Sequence, residues 1–194
     1  MSGKWKIVSR IIVVLLGLSV QPLAQADISA VLPMCTGCHG AEGVGIEANI
    51  PSIGGMPATL QENALNAYKS GDRKCGDVPL MCNIVAGLTD DQVKELAAHY
   101  AAMTYKPANE EFDAALAEQG KAIHDADCLM CHGSDPGTAQ FGVLHGQRKQ
   151  FLQFAMAQYA AGERTQMPMM EAKTTPLTAE QIEALVNYYA SYRE

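Results

Sequence analysis

The stretch DCLMCHGSD (127–135) decides the reading of this chain, because its core pattern occurs twice. Cys128, Cys131 and His132 form C-x-x-C-H, and PMCTGCHGAEG (33–43) places Cys35, Cys38 and His39 in the same pattern 93 residues earlier. The flanks are duplicated in the same order. YKSGDR (68–73) matches YAAGER (159–164) at Tyr, Gly, acid and Arg, and LTDDQVKELAAHYA (88–101) matches LTAEQIEALVNYYA (177–190) in pattern and length. Each half thus runs from C-x-x-C-H through a Tyr-x-x-Gly-acid-Arg segment and a Met-containing loop to a closing helix. Two chance matches to a short motif would not bring ordered flanks with them, so two similar domains are expected. Their boundary falls in MTYKPANEEF (103–112), where Pro107 interrupts the helical pattern. The expected domains are residues 27–106 and 107–194.

Helical spacing dominates both halves. Each closing helix opens with Thr (Thr89, Thr178) followed three residues later by Gln (Gln92, Gln181), the signature of a capping box. Val93, Leu96, Ala97 and Tyr100 then recur on one helical face, matched by Ile182, Leu185, Val186 and Tyr189. TLQENALNAYKSG (59–71) and KQFLQFAMAQYAAG (149–162) read as a further helix in each half, with Gly71 and Gly162 as the residues that end them. The fold class that follows is all-α.

The first 26 residues are expected to be a cleaved export leader. Lys4, Lys6 and Arg10 precede the ten-residue apolar run IIVVLLGLSV (11–20), and AQA (24–26) supplies a small-residue cleavage site. That run is half the length of a membrane span. An uncleaved anchor is the competing reading. The expected location is the periplasm. The chain has 14 basic and 21 acidic residues; removing the three basic residues of the leader moves its balance from −7 to −10. Such an excess of negative charge argues against nucleic acid and favours solubility or a basic partner.

Two cysteines and a histidine in this spacing can hold zinc, form a redox disulfide or anchor a haem. Structural zinc calls for a second ligand pair about 15–20 residues away, and none follows either motif. A thioredoxin-like pair sits between a strand and a helix, but no alternating apolar pattern marks a strand nearby. The histidine adjoining both copies points instead to c-type haem, with Cys35, Cys38, Cys128 and Cys131 forming thioethers and His39 and His132 as iron ligands. Each half, at about 80 residues with few aromatics, would have a thin apolar core that a large cofactor can fill.

The sixth iron ligand must come from elsewhere, and the repeat selects the candidates. Met81 lies seven residues before Leu88, and Met170 lies seven before Leu177. Met167 and Met169 are the nearest rivals in TQMPMM (165–170); Met56, Met103, Met130 and Met156 read as packing or surface residues. In the loop IPSIGG (50–55), a backbone carbonyl near Pro51 is expected to accept the Nδ1–H of His39 and fix its tautomer. The second half has no such proline. His99 reads as a surface or propionate-contacting residue, His124 as a helix-face residue, and His145 as part of the proximal-side loop. Cys75 and Cys82 have no counterpart in the second half. In an oxidising compartment a disulfide is expected, contributing about 2.5 kcal/mol by loop closure. The alternative is Cys82 thiolate on the iron, which would lower its potential.

Taken together, the C-x-x-C-H motifs, the Tyr-x-x-Gly-acid-Arg segments, the Met loops and the closing helices resemble the two-domain dihaem c-type cytochromes, including cytochrome c4. Within that group, YKPANEEFDAALAEQGKAIHDADCLMCH (105–132) and LHGQRKQFLQFAMAQY (144–159) are similar to the dihaem subunit of flavocytochrome c sulfide dehydrogenase. The resemblance implies two class I cytochrome c domains facing each other, two covalently bound haem c groups with propionates near the interface, and transfer of single electrons. The partner it implies is a redox protein, an FAD-containing sulfide dehydrogenase subunit. A free-standing cytochrome c4-type carrier feeding a terminal oxidase is the near alternative. A catalytic dihaem enzyme, either a peroxidase or a thiosulfate-oxidising cytochrome, is the alternative from another class; it would need an open or Cys-ligated iron.

Overall fold

The computed structural model describes residues 26–75, 79–133 and 139–193. The expected export leader lies outside these residues apart from Ala26. Eight helices occupy them: α1 (Leu32–His39), α2 (Ala58–Ser70), α3 (Leu80–Ala86), α4 (Asp90–Ala101), α5 (Ala114–Asp127), α6 (Lys149–Ala160), α7 (Pro168–Thr174) and α8 (Ala179–Ala190). Among the described residues no β-strand forms and no helix is long and apolar enough to cross a membrane. The all-α reading holds.

The two closing helices start as the sequence dictates. Thr89 and Thr178 each accept from the backbone N–H of Gln92 and Gln181, while each Gln side chain returns to the Thr N–H. Each box satisfies two otherwise orphaned donors and is worth about 1 kcal/mol. The apolar face of α4 buries Val93, Leu96, Ala97 and Tyr100, and α8 buries Leu185, Val186 and Tyr189. α2 ends on left-handed Gly71. The match in α6 is looser: it stops at Ala160 with Ala161 as its cap, and left-handed Gly162 follows. The two Met loops prove to be short helices, α3 and α7, and Pro168 at the start of α7 presets the helical φ.

Two apolar cores result. In the first, Val85, Leu88, Val93 and Leu96 are buried, with Ile28, Val31, Leu32, Cys35, Leu65, Tyr68 and Met81 packed against them. In the second, Leu152, Leu185, Val186 and Tyr189 are buried against Ile123, Leu144, Phe151 and Leu177. The repeat breaks at the motifs themselves. Cys35, Cys38 and His39 lie within α1, whereas Cys128 caps α5 and Cys131 and His132 sit in the turns beyond it. Helix α5 packs along α8, and Gly120 makes the crossing possible. A Cβ there would lie 2.1 Å from the Ala184 carbonyl oxygen.

The halves meet along two seams. At one, Arg73 and Arg164 pair as an isolated antiparallel bridge, flanked by Lys74 N–H to Glu163 O at 2.7 Å and Thr165 N–H to Asp72 O at 2.9 Å. The duplicated Tyr-x-x-Gly-acid-Arg segments therefore bind each other. At the other, the loop around Gln147 docks on the loop around Ser52, and the connection between halves threads past two glycines. A Cβ on Gly55 would strike Tyr105 backbone at 2.3 Å, and one on Gly146 would meet Pro107 at 2.7 Å. Both glycines are left-handed, and their N–H groups donate to the Tyr100 and Tyr189 carbonyls, each at 2.8 Å.

Candidate functional site

Helix α1 brings Cys35 and Cys38 onto adjacent turns and ends on His39, which is buried. The His39 Nδ1–H donates to the Pro51 carbonyl at 3.0 Å, the contact expected from the sequence. This fixes the tautomer and leaves the Nε2 lone pair available to a metal. Burial holds the ring's pKa below its ordinary value, partly offset by the Pro51 carbonyl, so the imidazole is neutral and fit to ligate. The second motif repeats this more loosely. His132 is buried and its Nδ1 lies 3.4 Å from the Gly142 carbonyl, and burial again depresses its pKa. Without a proline to stiffen it, this loop makes the longer contact.

None of the four motif cysteines is in a disulfide, and all are of intermediate burial. Burial raises the pKa of Cys35 and of Cys128. Neither motif closes on itself, while Cys75 and Cys82 do pair, with Cα atoms 6.2 Å apart. That disulfide precedes and enters α3, beside Met81. Residues 76–78 of its loop lie outside the described set. Met81 packs against the first core together with Cys35, so the two share one apolar environment. In the second half Met170 is half-buried in α7, whereas Met167 and Met169 are 54% and 57% exposed. Met130, between the cysteines of the second motif, is 86% exposed.

Several side chains the sequence left unassigned gather at these sites. Tyr100 and Tyr189 occupy equivalent positions on the closing helices, one near Cys35 and the other near Cys128. Burial pushes Tyr100 up to about 12 and raises Tyr189 further, so both hydroxyls stay protonated. His124 is a helix-face residue, as expected. It lies on the buried face of α5 with Ala117 and Gly120 and is itself fully buried, its Nδ1 is 3.1 Å from Tyr189 Oη, and its ring stands edge-on to His145 at 5.1 Å. The close α5–α8 crossing carries the last turn of α5 into the tyrosines of α8. His145, 4% exposed, is held by burial at a pKa of about 4.

The seam between the halves adds an electrostatic requirement. Arg73 is 6% exposed, stacks over Tyr68 at 4.5 Å and, among the described residues, donates to the neutral amide of Gln158 at 3.4 Å. Its Nε is buried and has no partner among the described residues, and burial together with Arg164 lowers its pKa to about 10. Arg164 repeats the stacking over Tyr159 at 4.7 Å. Two neighbouring guanidinium groups, one of them buried, call for an anion. A haem supplies two carboxylates along with an iron and two vinyl groups. The unpaired thiols, the histidines fixed through Nδ1 and the orphaned Arg73 donor together fit it.

Comparison with known proteins agrees with this chemistry. The family model described as cytochrome c oxidase, cbb3-type, subunit III matches residues 115–188. Cytochrome c-554(548) of Halomonas halodenitrificans is 37% identical over 67 residues, 34% of this chain and 81% of that protein. The thiosulfate dehydrogenase electron acceptor of Thiomonas intermedia is 27% identical over 173 residues, 81% of this chain and 77% of its own length. Among solved structures, the cytochrome c4 of Acidithiobacillus ferrooxidans aligns with a TM-score of 0.73 at 25% identity, covering 81% of this chain and 98% of that one.

Proposed function

Because the chain belongs to the cytochrome c4-like dihaem c-type cytochromes and carries two covalently attached haem c groups, we propose that it is a periplasmic electron carrier with both irons ligated by one histidine and one methionine. The observation that carries this reading is the pair of histidines whose Nδ1 atoms face backbone carbonyls while a methionine helix lies in each half. The haem iron supplies a reversible one-electron couple. His39 and His132 supply the proximal nitrogens, Met81 and Met170 the distal thioethers, and Cys35, Cys38, Cys128 and Cys131 the covalent anchors. A soft thioether favours the reduced iron and raises its potential, which suits a carrier. Arg73 and Arg164 would hold carboxylates of the haem at the seam, offsetting their paired positive charge. The Cys75–Cys82 bond restrains α3 and with it Met81. Residues 27–106 and 107–194 form the two electron-carrying domains, behind a leader of residues 1–26.

The donor we propose is a partner dehydrogenase, and the segments 105–132 and 144–159 favour an FAD-containing subunit that oxidises sulfide. The likeness to the Thiomonas intermedia protein, over 77% of its length, favours a second reading in which a thiosulfate-oxidising enzyme is the donor. Gentle purification of the tagged holoprotein from its native cell separates them. A stoichiometric FAD-containing chain, with haem reduction on adding sulfide, is the expected result. Reduction by thiosulfate in the presence of a co-purifying haem enzyme would replace the first reading by the second. Isolation alone, with rapid oxidation by a terminal oxidase, would replace both by a free carrier.

A further inference from the structure

The first-half histidine is not held by the first half alone. The peptide unit joining Pro51 to Ser52 has two polar ends. Its carbonyl accepts from His39 Nδ1–H at 3.0 Å, and its N–H donates to the side-chain Oε1 of Gln147 at 3.0 Å. Gln147 lies 95 residues further along the chain, in the second half. Its Nε2–H in turn donates to the Ser52 carbonyl at 2.6 Å, so one amide clamps Ser52 on both sides. Gln147 and Ser52 are each 1% exposed, and water cannot replace either contact. We propose that Gln147 is a positioning residue for His39, so that the second half sets the proximal ligand of the first haem.

Three features make the arrangement directional. Hydrogen bonds in series polarise one another, and a buried amide pulling on the Ser52 N–H makes the Pro51 carbonyl a stronger acceptor. A stronger acceptor at Nδ1 gives the imidazole more anionic character, which favours ferric iron. The repeat also shows what replaces Gln147 on the other side. Gly55 and Gly146 are equivalent by their shared contacts to the closing helices, so Met56 is the counterpart of Gln147. A thioether accepts weakly, as Met56 Sδ does from Gln147 Nε2 at 3.9 Å, and has no proton to donate, so it cannot clamp a peptide on both sides; the second-half contact, His132 Nδ1 to Gly142 O, is the longer one at 3.4 Å. Finally, the loop 142–148 carries the His132 acceptor at one end and Gln147 at the other. It links the two proximal histidines through the six residues 142–147 and one side chain.

The inference rests on His39 being the ligand of a covalently held haem, so haem attachment at Cys35 and Cys38 is first established by peptide mass mapping of the holoprotein; a failure there is a failure of the functional reading instead. The test then compares Gln147→Met, which keeps side-chain length and copies Met56, with Arg148→Met. The second variant cuts a neighbouring contact across the same seam, Arg148 Nε to Gly45 O at 3.0 Å, without touching the Pro51 peptide. Gln147→Met is expected to raise one of the two reduction potentials and leave the other. It should also speed exchange of the His39 Nδ1–H by about fivefold, the factor one ordinary net hydrogen bond is worth. Arg148→Met should do neither. Unchanged potentials, an equal shift of both, or the same shift in Arg148→Met would overturn the proposal. If the Gln147→Met holoprotein does not accumulate, the wild type decides: its His39 Nδ1–H should exchange more slowly than that of His132. Equal exchange of the two would refute the assignment.

Discussion

At Met170 the repeat and the structure can be put to the same trial. The seven-residue offset selects it from a run of three methionines, and it is half-buried while Met167 and Met169 lie mostly in solvent. Met170→Leu should therefore halve the charge-transfer band of methionine-ligated ferric haem, about one site of two, while Met167→Leu and Met169→Leu leave it intact. His145 offers a second trial. Its pKa in the fold is about 4 against an ordinary value near 6.5, so the unfolded chain takes up a proton that the folded chain refuses. Stability is full above pH 6.5 and declines as pH falls toward 4. The ring is enclosed by His124, Tyr188, Tyr189 and Tyr192. His145→Phe should fill the same space and shallow that acid decline, measured as the urea midpoint against pH. A residual slope is expected from His124, whose pKa burial also lowers.

The helices explain which parts of the site could be read in advance. The capping boxes at Thr89 and Thr178 and the apolar faces of α4 and α8 are local patterns, and they appear where the sequence puts them. The C-x-x-C-H triads are equally local. By contrast, the burial of His124 depends on α5 crossing α8 at Gly120, a contact between segments far apart in the chain. Nothing around residue 124 signals it. Gln147 was silent for the same reason, since its partner Ser52 is 95 residues away. The segment of α3 makes a further prediction. Cys75 and Cys82 close a short loop beside Met81. Replacing both by Ser should lower stability by about 2.5 kcal/mol, read from chemical denaturation. It should also make the Met81 band, and not the Met170 band, sensitive to temperature.

For the molecule as a whole, duplication was visible and docking was not. The sequence shows two copies of each segment but gives no sign that YKSGDR and YAAGER bind each other across the seam. Their meeting places Arg73 and Arg164 together, and the account assigns the resulting demand for anions to the haem propionates. Arg73→Gln should accordingly lower the reduction potentials, because a buried positive charge near the cofactors favours electron uptake. Spectroelectrochemistry at fixed ionic strength measures this. The central claim is that both irons are closed by a histidine and a methionine and serve only to carry electrons. Carbon monoxide added to the reduced native holoprotein tests it most directly. The account predicts an unchanged visible spectrum at both haems, and rapid formation of a carbonyl complex at either one would contradict it.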